Sequence, residues 1–172
     1  MTTARLRPPE NRVSPRAVPM WTLGAAIGSA IGVALLSGAA FGIGYAEWDW
    51  VPGPVLTNIW WAPGAFALYA TASTIISPRW RYSVHRWEVT EDVIYTRTGW
   101  INRQWQLVPI NRIQTVDHTQ GWMERLFKVA TLEVQTASHA GSSTIEGLDA
   151  ADAQRISEDL AARAGQMRND AT

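Results

Sequence analysis

The side chains that could perform acid–base chemistry are few and scattered. The three histidines, His85, His118 and His139, fall in separate predicted strands or turns. Only Asp117 and His118 place an acid beside an imidazole, and neighbouring residues of a strand point to opposite faces. The chain has no cysteine, which excludes a thiolate nucleophile, a thiolate metal site and a disulfide. We therefore expect no catalytic residues, no metal and no cofactor, and substitution of Asp117 or His118 tests the enzymatic alternative.

Cationic side chains offer a second kind of chemistry, contact with anionic groups. Arg79, Arg81 and Arg86 follow the second long apolar stretch of the chain. A basic residue near an anionic lipid surface contributes about 1 kcal/mol to binding, so we predict that these three contact anionic headgroups. Nucleic acid is not an expected partner. With 15 Lys and Arg against 15 Asp and Glu, the chain lacks the surplus of cations that phosphate binding needs.

A third candidate is a cluster of large apolar residues at 121–127. Trp122, Met123 and Phe127 lie there with Arg125, and the segment is typical of a short helical turn between strands. Two interpretations stay open. In the first, the turn is a plug that completes the core. In the second, Trp122 and Met123 stay exposed and dock a partner or the membrane edge.

The elements that must position these residues begin with two membrane spans. No charged residue occurs from Ala17 to Ala46 or from Trp50 to Pro78, and each stretch exceeds the ~20 residues that cross a bilayer as a helix. We predict helices at about 21–45 and 55–77, the second kinked at Pro63–Gly64. Neither helix carries a charged side chain, which argues against transport by this chain alone.

Small residues recur along the first predicted span. Gly24, Gly28 and Gly32 are spaced four residues apart. Such a stripe lets another helix approach closely, so we predict that it packs against the second span or a copy of the first. The expected partners are therefore the lipid bilayer and either a second copy or a larger membrane protein.

The flanks of the spans predict their orientation. The charged residues between the spans are both acidic, Glu47 and Asp49. Arginines lie outside the spans, at Arg5, Arg7, Arg12, Arg16, Arg79, Arg81 and Arg86. The positive-inside rule then places both termini in the cytoplasm. A cleaved signal peptide, with small residues at 37–39, is the alternative, although its apolar part is usually only about 7 to 15 residues long.

The region after Arg79 has the pattern of a small β domain, with short β-branched and aromatic stretches between turns. Asp149 is a suitable N-cap for a final amphipathic helix, and the residues after 165 are expected to fray. We predict strands at 82–89, 93–97, 100–108, 132–136 and 143–146. The helix is expected to bury Ala153, Ile156, Leu160 and Ala164.

Three motifs occur in order in this region. They are VPINRIQTV at 108–116, MERLFKVATLEVQTAS at 123–138 and IEGL at 145–148. Together they resemble the YdbS-like family of membrane-anchored bacterial PH-domain proteins, and the likeness covers about residues 20–164. One departure is Lys128, where the family often has glycine.

The resemblance implies a membrane α-helical hairpin followed by a PH-like β domain. That domain is a bent antiparallel sheet of about six or seven strands capped by a C-terminal helix. The expected organisation is an Arg-rich cytoplasmic segment at 1–20, two spans within 21–78, a cytoplasmic PH-like domain at 79–165 and a disordered tail at 166–172.

The resemblance supplies no ligand. A phosphoinositide site would need a basic loop between the first two strands, where this chain has Glu91 and Asp92, so fold analogy fails at these residues. We predict a non-enzymatic interaction or scaffolding module in a membrane complex. The alternative is a lipid-sensing or envelope-stress accessory protein that binds an anionic membrane surface.

Overall fold

The computed structural model describes residues 8–46, 50–99, 103–136 and 142–169. It divides into two compact units. The helical unit is Trp21–Pro78, and the β unit combines Met1–Met20 with Arg79–Thr172. The predicted residues Trp100–Asn102, Ala137–Gly141, Glu47–Asp49, Arg5 and Arg7 lie outside the described residues.

The helical unit contains two stretches that are long and apolar enough to cross a membrane. The first is α1, Ala17–Ala46. The second was predicted as one kinked helix from about residue 55, but it is divided into α2, Gly53–Asn58, and α3, Trp61–Val84. The interruption precedes Pro63, whose nitrogen cannot donate to the carbonyl four residues earlier. Pro63 therefore lies in the first turn of α3 rather than at a kink.

α3 also runs further than predicted. It continues through Pro78 to Val84, so the prediction that a strand starts at Tyr82 was wrong. Local hydrogen bonds hold this last turn: the Ser83 hydroxyl donates to Trp80 O over 2.7 Å, and the backbone N–H of His85 donates to Arg81 O over 3.0 Å. Such bonds satisfy carbonyl groups that a helix end leaves without partners.

The β unit has two antiparallel sheets, with strand orders β1-β2-β3-β4 and β5-β6-β7. The strands are β1 Asn11–Arg12, β2 Arg86–Val89, β3 Val93–Thr98, β4 Gln104–Pro109, β5 Ile113–Thr119, β6 Val129–Thr136 and β7 Ser143–Asp149. A 3₁₀ turn, Ile110–Arg112, joins β4 to β5, and α4, Trp122–Phe127, joins β5 to β6. With the C-terminal helix α5, Ala150–Asn169, this arrangement confirms the PH-like fold.

The core lies between the sheets and α5. Leu132 and Val134 are fully buried, which confirms the predicted alternation of β6. The Asp149 carboxylate accepts from the Ala151 N–H over 3.2 Å and so caps α5 as predicted. The buried face of α5 includes all four predicted residues, Ala153, Ile156, Leu160 and Ala164, together with Ser157. The helix continues to Asn169 instead of fraying after residue 165.

β1 was not predicted. It pairs with β2, with Asn11 opposite Trp87 and Arg12 opposite Arg86. Val13 is buried, and the Ser14 N–H donates to Gly147 O over 2.7 Å. The segment before the first span is therefore part of the same folded unit as the strands that follow the second span.

Candidate functional site

The short helix α4 is held by bonds at both ends. The Glu124 carboxylate accepts from the Gly121 N–H and from the Thr131 hydroxyl, each over 2.7 Å. Lys128 then ends the helix in the left-handed conformation, φ 56°, and its carbonyl accepts from the Ala150 N–H over 3.1 Å. These bonds fix α4 to β6 and to the start of α5, so the direction of its side chains is set by the fold.

The apolar side chains of α4 differ in exposure. Trp122 is 70% exposed and Leu126, one helical turn later, is 65% exposed, while Met123 and Phe127 are half-buried. Residues four apart lie on the same side of a helix. Trp122 and Leu126 therefore form one exposed apolar patch, which we call the α4 surface. This exposure favours the docking interpretation for Trp122, whereas Met123 of the same interpretation is half-buried.

Basic residues lie beside the α4 surface. Arg125 and Lys128 are both exposed, and neither forms an ion pair with a carboxylate among residues 8–46, 50–99, 103–136 and 142–169. The patch thus has an apolar centre and a positively charged rim. Such a surface suits a partner with an apolar patch edged by acidic residues.

The three arginines predicted to contact anionic headgroups lie in different surroundings. Arg79 is exposed in α3, and Arg81 forms an ion pair with Glu146 of β7. Arg86 lies at the start of β2, where its side chain donates to Glu10 O over 3.4 Å. The structure therefore does not gather these three side chains into one site.

The glycines of α1 also differ from one another. A Cβ built on Gly32 would come 2.7 Å from Phe66 Cε1 of α3, whereas one built on Gly28 would meet no atom within 4 Å. Gly24 is half-buried. Close by, the Ser29 and Thr74 hydroxyls are 3.1 Å apart, joining α1 to α3 by a hydrogen bond. Small residues of both helices, among them Ala30, Ala34, Ala67 and Ala70, line a groove of about 540 Å³.

A polar cleft of about 520 Å³ in the β unit was not predicted. It is lined by His85, Thr98, Gln104, Gln106, Ser142, Thr144 and Glu146. The Gln106 amide donates to Ser142 O across it, and His85 Nδ1 bonds to Arg81 O over 2.9 Å. Burial lowers the pKa of His85, an effect only partly offset by this bond. Sequence reasoning could not find the cleft, because its residues come from four separate segments.

The candidate acid–base pair does not converge. The His118 ring lies 3.3 Å from the Ser157 hydroxyl of α5, while Asp117, its neighbour on β5, is opposite Glu133 of β6. Within the described part of the chain, no group of three or more His, Asp and Glu residues could hold a metal ion.

Comparison with known proteins adds two similarities. A family model described as Bacterial PH domain matches residues 26–164. The chain is also similar to the UPF0699 transmembrane protein YdbS of Bacillus subtilis (strain 168), with 29% identity over 153 residues, which cover 88% of this chain and 91% of that protein. No solved structure matches the chain.

Proposed function

Since the chain belongs to the bacterial PH domain family, we propose that it is a non-enzymatic interaction module that joins a membrane complex through its α4 surface. The chain is a YdbS-like membrane protein with two apolar helical spans and a PH-like domain, and these families are not enzymatic. One observation carries the proposal: Trp122 and Leu126 are exposed on a helix that is fixed at both ends.

The partner at this surface is another membrane protein rather than a second copy of the chain. The rim residues Arg125 and Lys128 are cationic, so two copies meeting through α4 would bring like charges together. Juxtaposed like charges at an interface cost several kcal/mol. A partner with an apolar patch edged by acidic residues would contact Trp122 and Leu126 and would also pair with Arg125 and Lys128. A Trp that becomes buried at an interface is the kind of residue that dominates binding energy.

The domain is proposed to face the cytoplasm. β1 precedes the first span and β2 follows the second, yet the two strands pair in one sheet. This pairing supports a hairpin whose two flanks lie on the same side of the bilayer. The arginine-rich flanks, with Arg12, Arg16 and Arg79 among them, favour the cytoplasmic side.

Orientation is tested with a single introduced cysteine, since the natural chain has none. Glu158 is exposed on α5, and E158C should react with an impermeant maleimide only after spheroplasts are broken. Reaction in sealed spheroplasts would overturn the cytoplasmic orientation.

The interaction role is tested by placing a photo-crosslinking amino acid at position 122 or 126 in living cells. We expect a discrete crosslink to one membrane protein, which is then purified and reconstituted with the chain. The double variant W122A/L126A should weaken binding to that protein at least about 30-fold, the loss typical of a central hot spot.

The matched control is L107A, which removes an exposed leucine from β4, away from α4. It should bind the partner as the natural chain does. Crosslinks from position 122 to lipid alone, or equal binding by W122A/L126A and L107A, would overturn the proposal.

A further inference from the structure

One face of the four-stranded sheet carries a row of arginines. Trp87 and Val89 of β2 and Ile94 of β3 pack against the core, so the alternate residues of these strands point to the opposite, outer face. Arg12 of β1 is directly opposite Arg86 of β2, and Arg86 is directly opposite Arg97 of β3. These three residues, Arg12, Arg86 and Arg97, form the arginine row.

The row ends at an aromatic residue. Trp105 of β4 is the partner of Arg97, and the Arg97 guanidinium carbon lies 5.4 Å from the centre of the Trp105 ring. Tyr95, 8% exposed, stacks on the same indole with ring centres 5.7 Å apart. Leu107, 45% exposed, follows on the same face. A cation on an indole, beside exposed apolar area, is an arrangement suited to a membrane–water interface.

In the described part of the chain, no carboxylate forms an ion pair with the arginine row. Arg12, Arg86 and Arg97, and Arg103 just before β4, form no ion pair with any acid in the described ranges 8–46, 50–99, 103–136 and 142–169. Four other arginines of the β unit do form ion pairs, whereas Arg112 and Arg125 form none with the described residues. Those that pair with Asp or Glu are Arg16, Arg81, Arg155 and Arg163.

Glu10 and Glu88 lie beside the row. The Glu88 carboxylate accepts from the Glu10 N–H over 3.3 Å, and Glu88 lies in the next row, opposite Tyr95. The side chains of the row make other contacts: Arg86 donates to Glu10 O and Arg97 to Val84 O. The Arg12 guanidinium carbon lies 5.8 Å from the centre of the Tyr82 ring.

The arrangement is electrostatically unfavourable without a ligand. Like charges directly opposite one another on neighbouring strands are destabilising. Burial lowers the pKa of Arg97, and the positive charges of Arg86 and Arg103 lower it further. An anion placed against this face would relieve the repulsion among the guanidinium groups.

We propose that the arginine row is a binding face for the phosphate groups of anionic lipid headgroups. Neighbouring strands are about 4.8 Å apart, so the three arginines follow one another across the sheet at successive register positions. A row of cations along a sheet face suits several phosphates lying side by side, as at a bilayer surface. Trp105 and Leu107 supply the apolar contact beside it. The inference concerns a different face from α4 and does not depend on the proposed interaction role.

The test uses the full chain in nanodiscs, with L107C carrying an environment-sensitive fluorophore beside the row. Discs of phosphatidylcholine alone are compared with discs of equal parts phosphatidylcholine and phosphatidylglycerol. We expect the emission to rise and shift to the blue only in the discs with phosphatidylglycerol. The same probe on E158C of α5 should not respond.

Two pairs of variants separate the row from net charge. Each arginine near an anionic surface is worth about a five-fold change in binding, so R86Q/R97Q should lower the ratio of docked to undocked domain about 30-fold. R86K/R97K keeps the charge and should retain docking, which also shows that the sheet tolerates substitution. R155Q/R163Q removes the same charge from α5 and should dock like the natural chain.

Three outcomes would overturn the proposal. The first is equal emission in the two kinds of disc, and the second is an unchanged response in R86Q/R97Q. The third is a response in phosphatidylcholine discs to added inorganic phosphate, without one to phosphatidylglycerol, which would assign the row to a soluble anion.

Discussion

At the scale of single residues, Lys128 shows how the fold tolerates an unfavourable backbone. Among the described residues it is the one non-glycine with a positive φ. It ends α4 with its N–H directed to the carbonyls of Arg125 and Glu124. An L-residue in this conformation costs roughly 1–2 kcal/mol relative to the right-handed helix. This position is the one where the resembling family often has glycine, which bears the conformation without strain.

The first prediction follows from this strain. K128G should raise the free energy of unfolding by about 1 kcal/mol, because glycine adopts the left-handed conformation freely. Denaturant unfolding of the chain in detergent measures the change. The control R125G, inside α4, should lower stability by about 1 kcal/mol. A loss of stability in K128G would contradict the strain.

The second prediction concerns His85 and pH. Burial lowers the pKa of this imidazole from its ordinary value of 6.5, and this is the largest effect. The hydrogen bond to Arg81 O raises the pKa, the positive charge of Arg81 lowers it, and the negative charge of Glu146 raises it. The unfolded chain therefore takes up the proton at a higher pH than the folded chain does. The contribution of neutral His85 to the stability of the folded state is therefore complete above pH 6.5 and is lost as the pH falls below that value.

Unfolding measured against pH tests this dependence. The natural chain should lose stability on acidification below pH 6.5 more steeply than H85Q, which has no group to titrate there. H85N, which also lacks a titratable ring, should behave like H85Q. Identical slopes for H85Q and the natural chain would show that His85 contributes nothing to the pH dependence.

At the scale of elements, sequence reasoning succeeded where a pattern was local. The apolar period of α5, its Asp149 cap and the alternation of β6 were all visible in short windows, and the structure confirms them. The second span was less predictable, because nothing local shows that a helix will continue through Pro78. The sequence left open whether Trp122 is exposed, because its exposure depends on how residues distant in the chain pack in the core.

The third prediction concerns the contact between α1 and α3. Gly32 lies against the Phe66 ring, whereas Gly28 faces open space. G32L should destabilise the hairpin by about 1–3 kcal/mol through overpacking, and G28L should not. Unfolding of the chain in mixed micelles measures both. F66A should rescue G32L, and equal effects of G28L and G32L would contradict the contact.

At the scale of the whole molecule, the β unit is discontinuous in sequence. The stretch before the first span supplies β1, the buried Val13 and the Ser14 bond to Gly147, and Arg16 adds an ion pair with Asp149 over 2.8 Å. Sequence reasoning treated this stretch as an Arg-rich flank. A two-residue strand carries too little pattern to be recognised, and its partner lies beyond both spans.

The fourth prediction measures what this stretch contributes. V13A removes a buried side chain and should lower the free energy of unfolding of the β unit by about 2 kcal/mol. R16Q removes only a solvent-exposed ion pair and should cost less than about 1 kcal/mol. The resistance of α5 to protease in native membranes measures the loss of stability in both variants. Equal resistance of V13A and the natural chain would show that the stretch does not support the domain.

The pairing of β1 with β2 also constrains biogenesis. β1 is synthesised before β2, and it cannot pair with β2 until both hydrophobic segments have been synthesised. If only one hydrophobic segment were inserted into the membrane, β1 and β2 would lie on opposite sides of it and could not pair. The pairing of β1 with β2 therefore requires that the outer flanks of both hydrophobic segments end on the same side of the membrane.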